Sequence, residues 1–147
     1  MATRLAAAPT MGLLRIGAAL LLGFSGYLHA ELYIHGYRVI PEIGPTFLLQ
    51  ASGSFAVAVL LLGSGRAIPR LGAAALAGGA LVGFVLSRTV GVFGFIERGF
   101  NPAPEALFSV LAEVGTLVLL AIPLALRGLS KCRVVVSRWR LTPRSRG

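Results

Sequence analysis

Two ionisable side chains, Arg88 and Glu113, lie inside otherwise apolar stretches of this sequence. An ion in hydrocarbon is costly enough that each needs a partner or a wet pocket. Arg88 precedes Glu97 by nine residues and Glu113 follows Glu105 by eight. At the rise of an α-helix these separations are about 13 and about 12 Å, which puts both groups at similar depth. The expectation is a buried Arg88–Glu113 ion pair on adjacent helices, with Gln50, His29, Tyr27, Ser25 and Ser87 around it. Such a pair is either a clasp that holds helix register or a responsive centre, in which Glu113 changes protonation or Arg88 draws in an anion.

A second group of chemistry-bearing residues follows in Glu31–Gly44, a segment rich in side chains that ligate metals or move protons. His29, Glu31 and His35, with Glu42, are of the types that hold a divalent metal. His29 and His35 are six residues apart, which does not place them on one helical face. Both come from the end of one span and its loop, whereas axial haem ligation within a membrane calls for histidines on different helices. Interfacial hydrogen bonding by Tyr33, His35 and Tyr37 is the default reading, and no cofactor is expected. There is no nucleophile beside a base, no glycine-rich phosphate loop and no carboxylate dyad, so the sequence reads as non-enzymatic.

The elements that must position these groups follow from composition. Of 147 residues, 56% are hydrophobic and 13% charged, with a mean hydropathy of +0.83. Soluble domains are less apolar and about twice as charged. The length accommodates four spans of about 20 residues and short connections. The apolar runs lie at about 11–30, 45–62, 71–95 and 106–126. Breakers separate the later ones: Gly63-Ser64-Gly65 with Pro69, and Asn101-Pro102-Ala103-Pro104. In lipid each segment must satisfy its own backbone hydrogen bonds, and barrel-like alternation is absent, so the expected fold is an all-α integral membrane bundle.

Charge then orients the bundle. Eleven of the fourteen Lys and Arg residues, from Arg4 and Arg15 through Arg66 and Arg70 to the tail, fall at one set of helix ends with no acid among them. The other ends carry Arg38 and Arg98 with Glu31, Glu42, Glu97 and Glu105. The positive-inside rule puts both termini in the cytoplasm, as an even number of spans requires. A competing reading makes Met1–Ala30 a cleaved signal peptide, against which Leu28 is too large for the position two before the cut. The single Cys132 excludes an intramolecular disulfide and a thiolate cluster.

The tail, 127–147, holds seven Lys or Arg and no acid, interleaved with apolar residues. It reads as a topology anchor or as a segment lying on anionic lipid headgroups through Arg133, Arg138, Trp139 and Arg140. No stacking aromatics or recognition motif point to nucleic acid. Within the third span Ala75, Gly79, Gly83, Ser87 and Gly91 recur every fourth residue, a stripe that lets a neighbouring backbone approach, either in the same chain or in a second copy. Ala19 and Gly23, with Gly26 nearby, do the same in the first span, and Pro123 is placed to kink the fourth.

Taken as a string, Tyr27-Leu28-His29, Gly36-Tyr37-Arg38, Ile40-Pro41-Glu42-Ile43-Gly44, Phe47-Leu48-Leu49-Gln50, Ser87-Arg88-Thr89, Phe93-Gly94-Phe95-Ile96-Glu97, Pro102-Ala103-Pro104 and Ala112-Glu113 resemble a group of small, uncharacterised four-span membrane proteins of actinobacteria. The resemblance covers roughly residues 12–125 and omits the basic tail. It implies four spans and a bacterial inner membrane, and no activity. Where similar chains place Asn, this one has Gln50. The functional expectation is a membrane component, complex subunit or small-ligand-sensing module. A proton-coupled carrier in which Glu113 titrates is the alternative, and a metal- or haem-binding redox protein using His29 and His35 a third.

Overall fold

The computed structural model describes the backbone of residues 2–141 and the side chains of residues 10–126. Four α-helices follow one another: α1 (Ala2–His35), α2 (Ile43–Gly63), α3 (Ala67–Arg88) and α4 (Glu105–Leu141), with a short 3-10 turn at Tyr37–Val39. No strand forms among the described residues beyond one isolated bridge. The segments Thr10–His35, Ile43–Gly63, Ala67–Arg88 and Glu105–Leu126 are each long and apolar enough to cross a membrane. The fold is therefore the expected all-helical bundle. The tail residues read as headgroup ligands, Arg133, Arg138, Trp139 and Arg140, lie outside the described side chains.

Two helix ends differ from the apolar runs. α1 continues past Ala30 to His35, because a helix ignores the loss of hydrophobicity until Gly36 supplies a break. α3 stops at Arg88, seven residues before the end of its apolar run at Phe95. There Gly91 (φ 83°), Phe93 (φ 50°) and Gly94 (φ 80°) adopt positive φ. Val92 and Phe95 exchange both backbone hydrogen bonds, at 2.9 and 2.8 Å. Positive φ at both central residues is what a tight I′-type hairpin turn requires, and glycine supplies it without strain. Hydrophobicity alone did not distinguish this hairpin from two further helical turns.

Neighbouring helices run antiparallel, as the contact register shows. Between α1 and α2, Gly26 meets Ser54 and Gly23 meets Ala58; between α1 and α4, Gly17 meets Leu119 and Leu21 meets Gly115; between α2 and α3, Gly53 meets Leu76 and Val57 meets Gly72. The bundle is inverted relative to a soluble one. Leu20, Val59, Val82 and Val118 are more than half exposed, whereas Ser25, Ser54, Thr116 and Glu113 are at most 1% exposed. An exterior this apolar suits lipid and would be an aggregation liability in water.

The packed core, Ala19, Leu22, Ala58, Leu61 and Ala73, fills only the half of the bundle nearer Arg15 and Arg70. Close backbone approach occurs at Gly26, where an added Cβ would lie 2.9 Å from the Cβ of Ser54 and 3.2 Å from the carbonyl oxygen of Ala51. The small-residue stripe of α3 does something else. Nothing lies within 4 Å of a Cβ built at Gly79 or Gly83, and both line a cavity. At Gly79 and Gly83 the expected helix contact is replaced by open space.

These two glycine environments predict opposite outcomes. Gly26→Ala is expected to lower stability by about 1–2 kcal/mol through overpacking. Gly79→Ala, gaining helix propensity without a clash, is expected to be neutral or stabilising. Thermal unfolding of both variants in one detergent checks the pair.

Candidate functional site

The end of α3 assembles the first half of the site. Because the chain turns after Arg88, Glu97 returns alongside it, its N–H donating to the Ser87 carbonyl at 2.9 Å. Arg88 Nη1 donates to Glu97 Oε2 at 2.7 Å and to Ser87 Oγ at 2.6 Å. Its Nε reaches the carbonyl of Gly99 and its Nη2 that of Asn101, each at 2.7 Å. The guanidinium also lies 3.8 Å above the centroid of the Phe84 ring, a cation–π contact. Four of its five N–H groups are thus engaged by α3 and the segment that follows it.

Tyr37, from the 3-10 turn, donates its hydroxyl to the other oxygen of Glu97. Its ring stacks on Phe47 at 4.4 Å and meets Phe95 edge-on at 5.8 Å. Burial, and then the hydrogen bond to the Glu97 carboxylate, push the Tyr37 phenol well above its ordinary value of 10.0.

Glu113 does not pair with Arg88. On α4 it receives the hydroxyl of Ser109, one helical turn earlier, at 2.7 Å, and that of Ser25 on α1 at 3.1 Å. Both bonds go to Oε1. His29 Nε2 stands 4.0 Å from the same oxygen, beyond hydrogen-bond reach. His29 Nδ1 lies 2.9 Å from the Ser25 carbonyl, and a carbonyl only accepts, so Nδ1 carries a proton. The expected Arg88–Glu113 pair is therefore corrected to two separate centres: Arg88 with Glu97 and Tyr37, and Glu113 with Ser25, Ser109 and His29. α3 does not continue as a helix to Glu97; the backbone folds back after Arg88, so the nine residues between them do not measure depth.

The two centres face one partly open cavity of about 190 Å³ beneath the α3–α4 connection. Of the residues anticipated from sequence, Arg88, Glu113, Gln50, His29 and Ser87 line it. Gln50 donates to the Leu76 carbonyl at 3.2 Å. Tyr27 does not belong; it is 52% exposed on the outer face of α1 and stacks with Phe24. The candidate metal set also separates. His35 and Glu31 pair at 3.2 Å on the exposed surface while His29 faces the cavity, and no group of three metal-ligating residues occurs among the described residues.

Glu97, Tyr37 and Ser109 belong to the site although the sequence did not place them in it. Ser109 was discernible at four residues before Glu113 on a helix face, and Phe93-Gly94 as a turn pair. No protein-family model, curated protein sequence or solved structure matches this chain.

A double-mutant cycle distinguishes the pairings. Arg88→Leu with Glu97→Leu is expected to show a coupling of about 1–3 kcal/mol in unfolding free energy, and Arg88→Leu with Glu113→Leu a much smaller one. Alkaline unfolding tests Tyr37. Because folding raises its pKa, the contribution of the neutral phenol is complete below about pH 10 and declines as pH climbs from there toward the folded value. Tyr37→Phe is expected to remove that part of the alkaline slope.

Proposed function

We propose that this chain is a multi-pass protein of the bacterial plasma membrane, with both termini in the cytoplasm, that binds a small ligand beneath its outer loop. It acts as a sensing or accessory subunit in this reading, without catalysis. The observation that carries the reading is the polar-lined cavity itself. A bundle of this size has few buried polar groups to place, and here Glu113, His29, Gln50, Arg88 and Glu97 all face one space. Bundle interiors between helices are a common site of ligand binding.

The inner half of the bundle favours binding over carriage. Leu22 at 1%, Leu61 at 0% and Ala73 at 0% exposure pack together toward the Arg15 end, and none of the three lines the cavity. A carrier of this architecture would have to take that packed core apart in each cycle. The eleven Lys and Arg residues at one set of ends support the inward placement of the termini, and the basic tail is then free to meet anionic headgroups.

Binding is tested with benzyl alcohol, a neutral probe of the right size. It is expected to raise the unfolding midpoint of the wild type by about 3 °C or more, and to have no comparable effect on Gly83→Leu, whose side chain fills the cavity. Equal shifts in the two proteins, or none in either, would overturn the reading. Reporter fusions test orientation: alkaline phosphatase inserted between Val39 and Ile40 is expected to be active, and the same insertion between Ser64 and Gly65 inactive.

A further inference from the structure

We infer that the cavity is selective for a small protonated amine, a ligand with an ammonium head that binds Glu113 and an apolar body of about benzene size. The inference rests on the ligand-binding reading above and names the chemical class that site would take.

The donor and acceptor inventory of the walls points this way. The hydroxyl protons facing the cavity are already used. Ser109 donates to Glu113, Ser87 to the Phe84 carbonyl, Thr46 to the Ile43 carbonyl and Tyr37 to Glu97. One N–H of the Gln50 amide donates to the Leu76 carbonyl, and Nδ1 of His29 to that of Ser25. Arg88 has four of its five N–H groups engaged and is neutralised by Glu97. Apart from one N–H on Arg88 and one on Gln50, what remains open is acceptor.

Glu113 is 1% exposed and lines the cavity, and both of its hydrogen bonds go to Oε1. No hydrogen bond among the described residues reaches Oε2, nor is that atom sealed away from accessible space as the Ser54 hydroxyl is. Oε2 is therefore the carboxylate oxygen presented to the cavity. Oε1 of Gln50 is a second acceptor, and Nε2 of His29 is a third whenever the ring carries only its Nδ1 proton. An anion or a carbonyl compound would meet these three acceptors and only two free donors, the fifth N–H of Arg88 and the second N–H of Gln50. An ammonium group carries three donors and the compensating charge, and its bond to a buried carboxylate is of the strong, charge-assisted kind.

The remaining walls decide between an organic ammonium and a bare or hydrated metal ion. Tyr37 packs against both Phe47 and Phe95, and all three line the cavity together with Leu32 and Ile43. Aromatic faces attract an organic cation and accept its hydrocarbon body. Phe84 is unavailable for this because Arg88 already covers it. An apolar cavity of about 150 Å³ holds benzene. About 190 Å³ therefore accommodates such a ring and a one-carbon amine arm.

The test is calorimetric titration of the full chain in zwitterionic lipid nanodiscs with benzylammonium chloride and, separately, benzyl alcohol. These probes share their size and differ in the charged donor. Gly83→Leu supplies the baseline for partition into lipid. The expected result is that the ammonium binds about tenfold or more tightly than the alcohol. Glu113→Gln is expected to bring the two within about twofold of each other while keeping the affinity for the alcohol. Alcohol bound as tightly as the ammonium, or more so, overturns the amine assignment and leaves the ligand-binding reading standing. Neither probe binding above baseline overturns both. Should Glu113→Gln fail to fold, the comparison of the two probes on the wild type decides the question without it.

Discussion

The half of this molecule that holds the cavity depends on how one guanidinium is satisfied in apolar surroundings. Arg88 ends α3, and an arginine there must be surrounded by acceptors or left facing lipid. The chain answers locally. A hairpin built on Gly91, Phe93 and Gly94 brings Glu97 back, and the carbonyls of Gly99 and Asn101 complete the set. The segment between α3 and α4 is thereby wound around Arg88. Because Glu97 also receives Tyr37, the α1–α2 connection is tied to the same point. One half-buried charge organises both of the longer connections at this end.

Self-sufficiency of that cluster releases Glu113. With Arg88 neutralised by its own loop, the α4 carboxylate is held by two neutral hydroxyls, one from its own helix and one from α1. Neutral donors hold a carboxyl group in place without cancelling its charge, unlike an ion pair. The space between the two centres stays open because α3 presents Gly79 and Gly83 where larger residues would close it. The same small residues that suggest tight helix packing in a sequence can serve to leave room. Which of the two they do depends on the neighbour, as Gly26 and Gly79 illustrate within one bundle.

The two halves of the bundle are built differently. Toward Arg15 and Arg70, Leu22, Leu61 and three alanines pack into a dry core. Toward Glu97 and Glu105, polar groups and aromatic rings surround a cavity. Helix-to-helix contact through Gly17, Gly26, Gly53 and Gly115 maintains the frame, so the cavity does not collapse for want of side chains.

The four helices, their approximate extents and the importance of Arg88, Glu113, Gln50 and His29 were legible in the sequence, because hydropathy over a span and isolated ionisable residues within it are local signals. So was the close contact around Gly26 on α1. The partner of Arg88 was not, since apolar residues from Thr89 to Phe95 carry the same hydropathy whether they extend a helix or form a hairpin. Neither was the departure of Tyr27 from the site, which turned on the rotation of α1 about its axis. Composition and spacing by themselves determined that the chain forms apolar helices with buried charges to satisfy. Only the tertiary structure decided which groups satisfy them, because a positive-φ hairpin redirects the backbone and pairing follows distance in space, which no count along the chain supplies.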